Sequence, residues 1–67
     1  MKAEKGKYVK VRIRDGGNAE RMWFIVEYVE DGVIHGRLDN DPFICKNIKA
    51  GDIHKFSEDD IIAVYEE

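Results

Sequence analysis

The sequence predicts a small, mostly β domain built around a single core, and three observations predict it. From Glu20 to Asn40 two apolar-rich runs flank Glu30-Asp31-Gly32, and an Asp-Gly pair between such runs is a strong hairpin signal. Ahead of the hairpin, Lys7 to Arg14 alternates strictly, with Val9, Val11 and Ile13 on one face and Tyr8, Lys10, Arg12 and Arg14 on the other. Period two with β-branched residues on one side marks a half-buried strand. Third, turn signals recur at short intervals: Asp15-Gly16-Gly17-Asn18, Asp39-Asn40-Asp41-Pro42 and Ala50-Gly51-Asp52.

The elements follow in order. Residues 1–6 form a polar lead-in that frays, ahead of the alternating strand. A second strand runs from about Glu20 to Val29, with Met22, Phe24 and Val26 on one face and Trp23, Ile25 and Glu27 on the other. Tyr28-Val29 breaks this alternation, and a β-bulge near Glu27-Tyr28 restores the phase. Val33 to Leu38 is the third strand, with Ile34, Gly36 and Leu38 inward and His35 and Arg37 outward. A glycine in mid-strand implies a bend or a bulky neighbour close by. Pro42 opens a short run at Phe43-Ile44-Cys45, and Ile53 to Phe56 is a further short strand. Ser57-Glu58-Asp59-Asp60 reads as a capped 3-10 turn, followed by a last strand rich in Ile, Val and Tyr; a short C-terminal helix is the alternative for that segment. Five to six short strands, with one 3-10 turn before a last strand that returns beside the first, fit a small SH3-like barrel occupying residues 1–67 as one domain.

Composition narrows the function. A chain of 67 residues buries only about 60% of the surface that its unfolded form exposes. Partner subunits, metals or disulfides commonly supplement so small a core. The lone Cys45 closes no internal disulfide, and one Cys with two His completes no ordinary zinc site. No run is apolar enough to span a bilayer and no signal sequence follows Met1, so no membrane partner and a cytoplasmic location are expected. The net charge of -3 is uneven. Residues 1–14 carry six cations against Glu4, and residues 57–67 carry five acids and no cation. Either these segments lie together and offset one another, or the surface is dipolar and orients a charged partner.

Glu20-Arg21-Met22-Trp23, an Asp-Gly turn, Gly36, Leu38 and Asn40-Asp41-Pro42, then Lys49-Ala50-Gly51-Asp52, Phe56 and Asp60-Ile61, together resemble the bacterial family called "domain of unknown function 2314". The likeness runs from about Glu20 to Ile62. It implies no established reaction, and it suits an interaction role. It also implies structural duties: Gly36 and Gly51 for backbone conformation, Trp23 for packing, Asp52 and Asp60 for turn or cap hydrogen bonds.

No catalytic constellation is compelling. Cys45 and His54, backed by Asp52 or Asp60, have no spacing that demands their approach, and Asp59-Asp60 after a serine reads as a capped turn. No spacing marks a metal site, and no cofactor is implied. What stands out is a strand that is apolar on both faces, since such strands are covered twice. The expectation is a non-enzymatic interaction module of bacterial or phage origin, a class that includes inhibitor and immunity-type proteins, binding through Tyr8, Arg12, Arg14, Trp23 and Ile25, with Tyr28 and His35 at the rim. The partner is a protein or a second copy in a homodimer. The alternative is single-stranded nucleic acid, which a β-sheet presenting basic and aromatic side chains can hold, although the domain is acidic overall with a pI near 5.3.

Overall fold

The computed structural model describes residues 4–15, 17–41 and 48–65. They form one five-stranded antiparallel sheet: β1 (Tyr8–Asp15), β2 (Asn18–Glu30), β3 (Val33–Leu38), β4 (Ile53–Phe56) and β5 (Ile61–Tyr65), with a 3-10 turn at Glu58–Asp60 between the last two. The strand order is β4-β3-β2-β1-β5, so the last strand does return beside the first. The sheet is open: β4 and β5 stand at its two edges, and no ladder joins them. Among the described residues no helix is long and apolar enough to cross a membrane. The short run expected at Phe43-Ile44-Cys45 lies outside the described residues.

The thirteen residues of β2 serve two neighbours in succession. Ile25 to Asn18 pair with Tyr8 to Asp15 of β1, and Phe24 to Glu30 pair with Leu38 to Val33 of β3. The register of the second ladder shifts between Val26 and Tyr28, so Glu27 is the extra residue of a bulge. That is where the sequence pattern breaks, and the bulge sets Tyr28 opposite His35 and Val29 opposite Ile34. A second irregularity, in the β1–β5 ladder, leaves Ile62 unpaired between Ala63 and Ile61. The β2–β3 hairpin closes through Asp31 at φ 51° and Gly32 at φ 78°, the left-handed pair that a two-residue hairpin turn needs.

The core lies on one face of the sheet. Val9, Val11, Met22, Phe24, Val26, Ile34, Leu38, Phe56 and Ile61 are buried, with Ile13, Ile48 and Val64 packed against them. Phe24 is its centre; its ring meets Phe56 at 5.3 Å and His54, edge-on, at 5.5 Å between centroids. Gly36 lies beneath these rings. A Cβ placed there would come within 2.8 Å of the Phe56 ring and 3.1 Å of the Phe24 Cβ. The glycine is therefore required for space, whereas the family resemblance implied a backbone role. Gly51 does take that role, at φ 96°, and Asp52 beside it accepts the Lys49 N–H at 3.0 Å.

One expectation changes and one holds. The lead-in is not loose from Glu4 onward: Lys7 N–H donates to Glu4 O at 3.0 Å and Gly6 N–H to Val26 O at 2.8 Å, which fastens the turn to β2. At the 3-10 turn Ser57 holds the N-cap position as expected, and the carboxylate of Asp60 reaches back to accept from Ser57 N–H at 2.9 Å and from Ser57 Oγ at 3.2 Å.

Gly36→Ala is expected to destabilise the fold by about 1–3 kcal/mol, because the new methyl overpacks against the Phe56 ring. Thermal unfolding measures it, and Phe56→Leu in the same chain should recover part of the loss. An unchanged melting temperature would contradict the contact.

Candidate functional site

On the face opposite the core, cross-strand pairing assembles side chains from all five strands. Tyr65 pairs with Tyr8, Tyr8 with Ile25, Ile25 with Arg37 and Arg37 with Ile53. The row is apolar and aromatic at every position but one. Tyr65 is 54% exposed, Tyr8 39% and Ile53 54%, while Ile25 is half-buried. Arg37 interrupts the row, and its Nε donates to Glu27 at 2.8 Å. That hydrogen bond, and then the Glu27 charge, hold the guanidinium above its ordinary pKa, so Arg37 is a fixed cation. The bulge residue of β2 thus pairs with an arginine of the neighbouring strand β3.

Trp23 lies one step along β2, half-buried, opposite Lys10. The Lys10 ammonium sits 5.5 Å from the indole centroid, a cation–π distance. Beyond Leu38 the chain leaves the sheet, but it keeps hold of Trp23 for two more residues. Asp39 N–H donates to Trp23 O at 2.9 Å, and Trp23 N–H donates to the Asn40 side-chain Oδ1 at 2.8 Å. Asn40 therefore supplies with its side chain the acceptor that a longer β3 would supply from its backbone. The departure opens a cavity of about 290 Å³ lined by Tyr8, Trp23, Tyr65, Asp39 and Asn40. Among the described residues the Asp39 carboxylate makes no hydrogen bond and no salt bridge.

Further along the same face lie the arginines. Arg12 and Arg21 are directly opposite one another across β1 and β2, and both are exposed, as is Arg14. Like charges in that position destabilise a sheet. Arg12 and Arg14 line a hollow with Asp59, Asp60, Ile61 and Ile62, so the basic first strand and the acidic 3-10 turn do meet. They meet without contact: no ion pair of Arg12, Arg14 or Arg21 forms among the described residues. Asp60, moreover, is already engaged by Ser57.

The structure thus gathers five of the residues singled out from sequence. Tyr8, Trp23 and Ile25 form the apolar centre, and Arg12 and Arg14 its basic flank. Tyr28 and His35 belong elsewhere. The bulge brings them face to face near the hairpin, ring centroids 4.1 Å apart and planes 13° from parallel. His35, expected to be exposed at the rim, is 8% exposed beneath the Tyr28 ring, and neither residue lines the cavity. Three lining residues escaped the sequence. Tyr65 had a signal, since a last strand beside the first puts its outward residues next to Tyr8. Asp39 and Asn40 read only as a turn, and nothing local shows that an asparagine side chain reaches Trp23 across the sheet.

Asn40→Ala removes the acceptor of a partly buried N–H and is expected to cost about 1–3 kcal/mol. Chemical denaturation followed by Trp23 fluorescence measures the loss. A native-like midpoint would show that the bond contributes nothing.

Comparison with known proteins adds a family and no activity. No curated protein and no solved structure matches the chain significantly. A family model described as "uncharacterized protein conserved in bacteria" matches residues 1–63, taking in the basic first strand that the resemblance read from sequence left out. The chain belongs to the bacterial DUF2314 family.

Proposed function

We propose that this protein is a non-enzymatic binding module that docks a protein partner on the outer face of its sheet. The observation that carries the proposal is that Tyr8 and Tyr65 are exposed, and Trp23 and Ile25 only half-buried, on a face the core does not use. Nine apolar side chains already fill the interior from the other side. Aromatic residues flanked by arginine, half-exposed and fixed on strands, are what interface hot spots consist of. The partner is acidic where it meets Arg12, Arg14 and Arg21, because these charges form no ion pair among the described residues. A second copy fits less well, since a two-fold pairing of this face centred on the arginines opposes arginine to arginine. The strand order β4-β3-β2-β1-β5, with a 3-10 turn between β4 and β5, supports an SH3-like architecture for the module. An unpaired cysteine suits a cytoplasmic setting.

Trp23→Ala and Arg12→Glu are each expected to weaken the complex at least tenfold while the unfolding midpoint moves little; Val33→Ala, at the exposed hairpin, should change neither. Calorimetric titration of the partner isolated on the immobilised chain measures this, with light scattering to detect a homodimer. Lost stability with an unchanged association constant would return Trp23 to the core.

A second reading draws on the Arg12–Arg21 opposition. Two guanidinium groups without an ion pair among the described residues, on the face that carries Trp23 and Tyr8, are also a platform for single-stranded nucleic acid, whose phosphates relieve the repulsion and whose bases stack on the rings. Binding would then weaken steeply with salt. Failure of a labelled oligonucleotide to bind at low ionic strength excludes it.

A further inference from the structure

The cavity beside Trp23 has a chemistry more specific than a docking face requires. Three aromatic rings line it, from three different strands: Tyr8 of β1, Trp23 of β2 and Tyr65 of β5. Asp39 stands at its wall with a carboxylate that no described donor satisfies. Arg37, whose charge Asp39 feels, gives its Nε to Glu27 instead. At about 290 Å³ the space lies at the small end of ligand pockets, room for a head group or one side chain.

We infer that this cavity binds an alkylated ammonium group, the rings enclosing its methyl surface and Asp39 countering its charge. Each alternative occupant fails on one wall. An anion meets the Asp39 carboxylate and the negative faces of the rings. A neutral apolar group fills the rings but strips water from Asp39 without replacing it. A bare ammonium is strongly hydrated and loses its water on entering. A methylated ammonium carries full charge under an apolar skin, which is what a ring-lined site with one carboxylate recognises. The indole already attracts an ammonium in this protein, that of Lys10 at 5.5 Å. The wall is rigid where recognition needs it to be: both backbone polar groups of Trp23 on the β3 side are hydrogen-bonded, to Asp39 and to Asn40. Two sources carry this chemistry, a methylated lysine side chain of a protein and a choline head group. The proposal rests on the outer face as the binding surface and names what its cavity takes.

The test is a titration of the whole chain by heteronuclear NMR. The probes are tetramethylammonium, choline and the neutral isostere of choline in which a quaternary carbon replaces nitrogen, followed by trimethyllysine and lysine amides. Saturable shifts of the Trp23 indole and of the Asp39 amide are expected with tetramethylammonium and choline. Binding of the neutral isostere should be about tenfold weaker, and Asp39→Asn should weaken choline by a similar factor. Tighter binding of trimethyllysine than of choline assigns the ligand to a protein tail, and the reverse assigns it to a head group. Lysine amide should not bind at comparable concentrations. Equal affinity for choline and its isostere, or no saturable shift with any ammonium, overturns the proposal. If Trp23→Ala still breaks the partner complex in that event, the docking face stands and the ammonium site alone falls.

Discussion

The rest of the structure depends on the Phe24 ring lying against Phe56 over a glycine. Phe24 stands in both ladders of β2, opposite Val9 on one side and Leu38 on the other, so its side chain fixes the phase of three strands at once. Gly36 clears the ground on which the Phe56 ring sits, and that contact sets which side of β4 faces the core. Side-chain direction alternates along a strand, so once Phe24 points inward Trp23 and Ile25 must point out. The exposed aromatic face is the geometrical complement of this packing. It is not a failure of the core to hold enough, because the core is complete without Trp23.

The bulge at Glu27 lets one strand carry both halves of the fold. Without the extra residue, Val29 would lose its place opposite Ile34. With it, Glu27 leaves the ladder and meets Arg37, while Tyr28 is delivered onto His35. The outer face is thereby divided. Toward the hairpin its polar and aromatic groups are satisfied by one another. Toward Trp23 the rings, the arginines and Asp39 have few partners of their own. A surface whose groups are paired with one another at one end and lack such partners, among the described residues, at the other has a direction.

Strand identity, the bulge, the 3-10 turn and the inward set of β2 were legible in the sequence because each is local. Alternation over eight residues, a one-residue slip in phase and an Asp-Gly turn all act within a few positions of themselves. Gly36 was legible as a close approach, though not as the seat of Phe56, which lies twenty positions away. His35 misled for an instructive reason: alternation gives the face of a residue, not what covers it, and a ring stacked from the neighbouring strand buries an outward histidine as well as a core would. Barrel closure was beyond reach for a related reason. Whether two edge strands meet depends on accumulated twist along the sheet, and no single residue encodes it.

The site itself follows from how β3 ends. A strand that continued past Leu38 would present its backbone to Trp23 and fill the space beside it with side chains. Here Asp39 keeps one backbone bond, Asn40 replaces the next with its amide oxygen, and the chain turns away. The substitution satisfies Trp23 while removing the bulk that would have covered it. A cavity made in this way differs from a gap left by poor packing, because its walls are held by the same hydrogen bonds that end the strand. The acidic residue that lines it comes with the same two-residue exit, since Asp39 is the residue that begins it. The features that give the cavity its shape and those that give it its charge therefore have one structural origin.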